Sequence, residues 1–175
     1  MSGIRPSEED QCRLISADGK EFLVRQSIAK QSVLIREMVE ECEKGDIPDV
    51  PLPNVKGDVL KLVVEFCVHN AKDPMPDFEK PLISDVLAEF VPQWYREFID
   101  RDRAEVFEII SCANYLDIAP LLDLACAKIA VELKRMTEKD RIETFGPPEN
   151  LTPEQDALVR EFNKWEAGPD TNALD

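Results

Sequence analysis

The run Ala113–Ala130, ANYLDIAPLLDLACAKIA, constrains this chain more than any other stretch. It is the most apolar part of an otherwise acidic sequence. Leu122, Cys126, Ile129, Leu133 and Met136 recur at spacings of three and four, which is one face of a helix. Leu121, Leu124 and Ala125 widen that face well beyond a narrow stripe. A helix apolar over so much of its circumference needs two surfaces to bury against. One is its own domain; the other, on this reading, is a partner.

The 175 residues suffice for one domain with an appendage. A formal net charge of −15 argues against nucleic-acid or anionic-membrane partners, which need Lys and Arg to neutralise phosphates. No run approaches the ~20 apolar residues of a membrane span, and the N-terminal MSGIRPSEEDQ lacks the apolar core of a secretory signal. A cytoplasmic and nuclear location is expected. Cys12, Cys42, Cys67, Cys112 and Cys126 include no CxxC pair, and four of them sit in apolar patterns. They read as reduced cysteines packing as small hydrophobes. With His69 the only histidine, neither a metal nor a cofactor is expected.

Residues 1–10 are polar and acidic and read as a flexible N-terminus. Residues 12–25 read as a hairpin around Asp18-Gly19, a pair that supplies the positive φ values of a tight primed turn. Ser27 is placed as the cap of the short turn SIAK, and Ser32 starts a helix burying Val33, Ile35, Met38, Val39 and Cys42. Val50-Pro51-Leu52-Pro53 fits a short edge strand, since proline cannot donate to a ladder. Residues 58–70 form a helix with Val59, Leu60, Val63, Phe66 and Cys67 on one face; His69 near its end reads as a solvated or dipole-complementing residue.

The proline-rich segment 71–92 reads as a surface excursion, though its apolar Leu82, Ile83, Val86, Leu87 and Phe90 point to packing on something unspecified. Helices follow in QWYREFI, with Trp94 and Phe98, and over 102–116. Asp117 is placed as the N-cap of the organising helix. Thr137-Glu138-Lys139-Asp140 approximates a capping box for a helix carrying Ile142 and Phe145, which Gly146-Pro147-Pro148 stops. Thr152-Pro153-Glu154-Gln155 starts a last helix with Leu158, Val159, Phe162 and Trp165 on one face. These two helices are too short to stand alone. The reading is therefore an α+β domain over 11–136, C-terminal helices over 137–166 and a tail over 167–175.

Chemistry finds no support. The six glycines are scattered, with no GxGxxG and no GK[ST], and His69 has no nucleophile in a recognisable motif. Adjacent carboxylates such as Glu40-Glu41 are expected among 36 acidic residues. The chain is read as a binding protein and not an enzyme.

Five runs coincide with one family: SADGKEF at 16–22, IAKQSVLI at 28–35, VPLPNV at 50–55, ANYLDIAPLLDLAC at 113–126 and LTPEQDALVREFNKW at 151–165. Together they resemble the S-phase kinase-associated (Skp) adaptor family of SCF ubiquitin ligases, across residues 12–166. The resemblance implies a BTB/POZ fold, a small three-stranded sheet flanked by helices, with two added C-terminal helices. It implies a non-catalytic adaptor that bridges F-box receptors to a cullin. Val106, Phe107, Ile110, Leu122, Cys126, Ile129, Ile142, Phe145, Val159, Phe162 and Trp165 are placed at the F-box surface, with ordinary core packing the alternative for each. Asn114 and Tyr115 match positions that face the cullin. Some protist members are hydroxylated and glycosylated on the proline of the Thr-Pro-Glu context, which makes Pro153 a candidate modification site.

Arg141-Ile142 reverses the family's usual order, Pro147-Pro148 replaces a more flexible link, and Leu158 and Phe162 stand where polar residues are common. Elongin C, which lacks the terminal helices, is the runner-up. A scaffold role at kinetochores or meiotic chromosomes is the other class, and weak self-association of the free chain stays open.

Overall fold

A computed structural model describes residues 11–42, 47–82 and 84–146. The N-terminus, the helix expected over 151–165, Pro153 and the tail therefore lie outside the described residues. The chain divides into two compact units, Met1–Arg135 and Met136–Asp175.

The first unit begins with β1 (Gln11–Ser16) and β2 (Glu21–Arg25), antiparallel with Leu14 opposite Phe22. β3 (Asp49–Leu52) lies parallel to β1 on its other side, giving a mixed sheet of order β2-β1-β3. β3 is an edge, as Pro51 requires, and its Val50 and Leu52 are fully buried. Cys12, Leu14, Val24, Val50 and Leu52 bury one face of the sheet under the helices.

The hairpin turn departs from expectation. Only Gly19 has positive φ, at 76°; its N–H bonds Ser16 O, and the Ser16 N–H bonds Lys20 O. That is a three-residue loop with a glycine bulge, not the two-residue primed turn. Asp18 is thereby free to act outward. Its carboxylate accepts the Ser16 hydroxyl at 2.8 Å and the Gly57 N–H at 2.7 Å, and Lys20 Nζ bridges Asp18 and Asp58.

The helices follow from their caps and apolar faces. α1 (Gln26–Ala29) is preceded by Arg25 without a side-chain cap, so Ser27 does not cap it. α2 (Val33–Glu40) is capped by Ser32, whose Oγ accepts the Ile35 N–H and buries Ile35 and Val39 beneath it. Cys42 lies beyond its end and is exposed, which corrects the expected buried face. α3 (Gly57–Asn70) buries Val59, Leu60, Val63, Phe66 and Cys67.

α4 (Gln93–Ile99) brings Tyr95 and Phe98 onto Phe66, with ring centroids 5.6 and 5.8 Å away. His69 is the basic residue of the last turn of α3, as read, but is half-buried and not simply solvated. It stacks on Trp94 at 3.7 Å with planes 8° apart, because the aromatic end of α4 covers the end of α3. The excursion between α3 and α4 packs too. Met75, Phe78, Leu87 and Phe90 lie against the core, a 3-10 turn spans Leu87–Glu89, and Lys80 and Arg135 form ion pairs with Asp123 and Asp85.

α5 (Arg103–Leu116), capped by Asp102, leads into α6 (Ala119–Arg135). Asp117 is not the N-cap of α6 but the left-handed residue that ends α5, at φ 51°. The Ile118 N–H bonds Ala113 O and the Asp117 N–H bonds Asn114 O, the two bonds of a Schellman motif, with Ile118 and Ala113 both buried. Leu121, Leu124, Ala125, Ala127, Ile129 and Val131 are the buried residues of α6.

The described part of the second unit is α7 (Glu138–Phe145), where Thr137 and Asp140 form the expected capping box. No described helix is long and apolar enough to cross a membrane.

Two predictions follow from these bonds. Ser32 is wholly buried and its hydroxyl donates to Leu116 O while capping α2. Ser32→Ala leaves both backbone groups unsatisfied and costs about 2–3 kcal/mol, read as a lower urea midpoint at unchanged slope. The bonds from Ser16 and Gly57 hold the Asp18 carboxyl at about 2 against an ordinary 3.8. Its folded pKa lies below the unfolded value, so the ionised group stabilises above the unfolded pKa, and this is lost as pH falls through the folded one. The stability gap between wild type and Asp18→Asn is therefore largest above about pH 4 and closes toward about pH 2 in a urea series.

Candidate partner-binding surfaces

α5 carries two faces because its apolar residues follow the helical repeat. Val106, Ile109, Cys112, Ala113 and Leu116 turn inward. Phe107, Ser111 and Tyr115 recur every fourth residue on the side facing the loop between β3 and α3. The Leu52–Val55 turn shapes that loop: the Val55 N–H bonds Leu52 O, and Pro53 pre-sets the backbone at the first corner. Between them lies an open groove of about 510 Å³, lined by Asn54, Val55, Lys56 and Val59 on one side and Phe107, Glu108, Ser111, Cys112 and Tyr115 on the other.

The groove is apolar within and charged at its mouth. Phe107 is 41% exposed, which is unusual for so large an apolar side chain on a helix. Lys56 Nζ reaches Glu108 Oε1 at 2.5 Å across the opening, and this bond raises the Lys56 pKa. Ser111 donates to Phe107 O at 3.0 Å, so its hydroxyl needs no outside acceptor. Covering the exposed part of Phe107 would contribute on the order of 2 kcal/mol to a partner.

The structure sorts the expected site residues into several groups. Tyr115 lines the groove and Asn114 stands exposed beside it. Phe107, placed with the F-box set by sequence, shares the groove with Tyr115. Val106 and Ile129 belong to the core cluster, the packing alternative that the sequence left open for each. Ile110 and Leu122 are half-buried against that core, and Cys126 is exposed. Leu122, Cys126 and Leu133 are apolar residues of α6 outside its fully buried set, with Leu122 and Leu133 half-buried against the core and Cys126 exposed. In the second unit Ile142 and Phe145 are 39% and 46% exposed. Val159, Phe162 and Trp165 lie outside the described residues.

Asn54, Val55, Lys56, Val59, Glu108, Ser111 and Cys112 were not picked out from sequence as site residues. The fourfold spacing of Phe107, Ser111 and Tyr115 was the available signal for one wall. The other wall was hidden, because only folding brings residues 54–59 to α5. Among the described residues no group of three or more His, Cys, Asp or Glu could hold a metal ion.

The comparisons with known proteins bear on the same segments. Residues 10–72 match the Skp1 family tetramerisation domain and residues 119–166 the Skp1 family dimerisation domain. The chain belongs to the Skp1 family. It is 43% identical over 154 residues to the S-phase kinase-associated protein 1 homolog of Tetrahymena thermophila, covering 87% of this chain and 92% of the relative. Suppressor of kinetochore protein 1 of Schizosaccharomyces pombe is 38% identical over 156 residues, 87% and 95% of the two chains. The E3 ubiquitin ligase complex SCF subunit sconC of Arthroderma benhamiae is 35% identical over 152 residues, 87% and 92%. The mixed sheet with its helices is the POZ domain of this family, and the groove joins two of the runs that carried the resemblance, VPLPNV and ANYLDI.

All five cysteines are free. Burial pushes the thiol pKa of Cys12 up to about 11 and those of Cys67 and Cys112 to about 12. Burial also raises the Cys126 thiol, so at neutral pH a disulfide reagent should titrate Cys42 quickly, Cys126 more slowly and the other three only in denaturant. Five fast thiols in the native protein would contradict this packing.

Proposed function

We propose that this Skp1-family chain is the non-catalytic adaptor of an SCF-type ubiquitin ligase, holding an F-box receptor on one surface and a cullin on another. The observation that carries the reading is the pair of Skp1 domain matches, one on the sheet-bearing region and one reaching residue 166. A relative named as an SCF subunit supports it at 35% identity. An elongin C-like adaptor is disfavoured by the match across 119–166.

The cullin is assigned to the α5 groove and its rim at Asn114 and Tyr115. The F-box is assigned to Leu122 and Cys126 of α6, to Ile110, Ile142 and Phe145, and to Val159, Phe162 and Trp165. Such an adaptor orients a substrate and leaves the chemistry to other subunits, in the cytoplasm and nucleus. Pro153 stays a candidate for modification. A scaffold role at kinetochores is the second reading, favoured by the name of the Schizosaccharomyces pombe relative.

Size-exclusion chromatography of the chain coexpressed with a cullin N-terminal domain, and separately with an F-box segment, tests the assignment. Wild type forms both complexes. Asn114→Lys/Tyr115→Lys loses only the cullin, and Trp165→Ala weakens only the F-box complex, by about 2–4 kcal/mol. A chain that takes the F-box and never the cullin acts outside the ligase.

A further inference from the structure

Two residues of the hairpin turn grip the loop that forms one wall of the groove. The Ala17 N–H donates to Val55 O at 2.8 Å, and the Gly57 N–H donates to Asp18 Oδ1 at 2.7 Å. Val55, itself one anchor point, and Lys56, which lies between it and Gly57, both line the groove. The turn is itself braced. Ser16 Oγ donates to Asp18 Oδ1 at 2.8 Å and accepts the Lys20 N–H at 3.0 Å, while Lys20 Nζ reaches Asp58 Oδ1 at 2.6 Å on the first turn of α3.

The contact is close-fitting as well as hydrogen-bonded. A Cβ on Gly57 would lie 2.9 Å from Asp18 Oδ1 and closer still to Lys20 Cδ. Asp18 also satisfies an N–H of the first helical turn of α3, where Lys56 provides no side-chain cap. Neither Asp18 nor Gly57 lines the groove, so any effect on binding must pass through the wall.

We infer that Asp18 and Gly57 are positioning residues for the α5 groove: the β1–β2 turn holds the Asn54–Lys56 wall at its distance from Phe107 and Tyr115, and so sets affinity for the groove's occupant. The identity of that occupant as a cullin rests on the adaptor reading above.

The test uses the full chain and measures affinity for a cullin N-terminal domain and for an F-box segment. Wild type, Asp18→Ala, Asp18→Asn and Gly57→Ala are compared, each checked for a cooperative melt. Asp18→Ala and Gly57→Ala are expected to weaken cullin binding about threefold to tenfold, the equivalent of one lost hydrogen bond. F-box affinity stays at the wild-type value. Asp18→Asn, which keeps a carbonyl oxygen for the Gly57 N–H, recovers most of the loss.

Cullin affinity unchanged in Asp18→Ala overturns the inference, as does an equal loss for both partners, which would mark a general loss of stability. If wild type itself ignores the cullin, the adaptor reading fails, and amide hydrogen exchange decides the positioning claim by itself. Faster exchange at Val55 and Gly57 in Asp18→Ala, with the rest of α3 unchanged, upholds it. Wild-type exchange at those amides overturns it.

Discussion

The junction where α5 ends is the constraint on which the arrangement of helices depends. Asp117 enters the left-handed region, the Schellman bonds close α5, and Ile118 is buried as the chain turns into α6. The same corner receives α2: the Ser32 hydroxyl donates to Leu116 O and the Val33 N–H to Asp117 O. One residue earlier, Gln31 Nε2 donates to Cys67 O near the end of α3 and its Oε1 accepts from Asn70. Gln31 and Ser32 thus tie the ends of α3 and α5 to the start of α2. These bonds give carbonyls at the ends of α3 and α5 partners on the segment that starts α2.

The groove and the acidic composition suit a protein that works by contact. Its apolar floor rewards an apolar partner, while the Lys56–Glu108 pair at the mouth is exposed and contributes little energy by itself. Such a rim gives selectivity more than affinity. The wall loop is held from outside the groove by Ala17 and Asp18, so the sheet end of the domain and the partner surface are mechanically joined. The hairpin run SADGKEF is best understood in that light: its Asp is committed to α3 and its Gly to the bulge that points the Asp there.

Much of the fold was legible in the residues. The hairpin over 12–25, the edge strand at Val50–Leu52, the Ser32 cap and the Thr137–Asp140 box each carry their own local signal, and each appears where it was read. The errors share a cause. Asp117 looks like a helix start because Asp is a good N-cap, but it is also one of the few residues tolerated at positive φ, and the Schellman bonds chose the second use. Asp-Gly suggested a primed turn; the pull of Gly57 on Asp18 accompanies a bulged loop instead. His69 is only half-buried, and nothing in sequence announces that Trp94, 25 residues on, will stack upon it. Val106 and Phe107 are neighbours assigned to one surface, and the helical phase sends one into the core and the other to the groove.

What the sequence determined by itself was local and periodic: strands, caps, breaks, the apolar girth of α6 and the runs that mark the family. These depend on spacing along the chain and on side-chain chemistry that acts within a few residues. The tertiary structure alone decided which apolar residues are spent on the core and which are left outward. It also decided that residues 54–59 and 107–115 form one groove, and that the hairpin turn holds its wall. Those outcomes depend on contacts between segments some 40 to 60 positions apart, and no local preference encodes such contacts, because their energy exists only once the sheet and α5 have packed together.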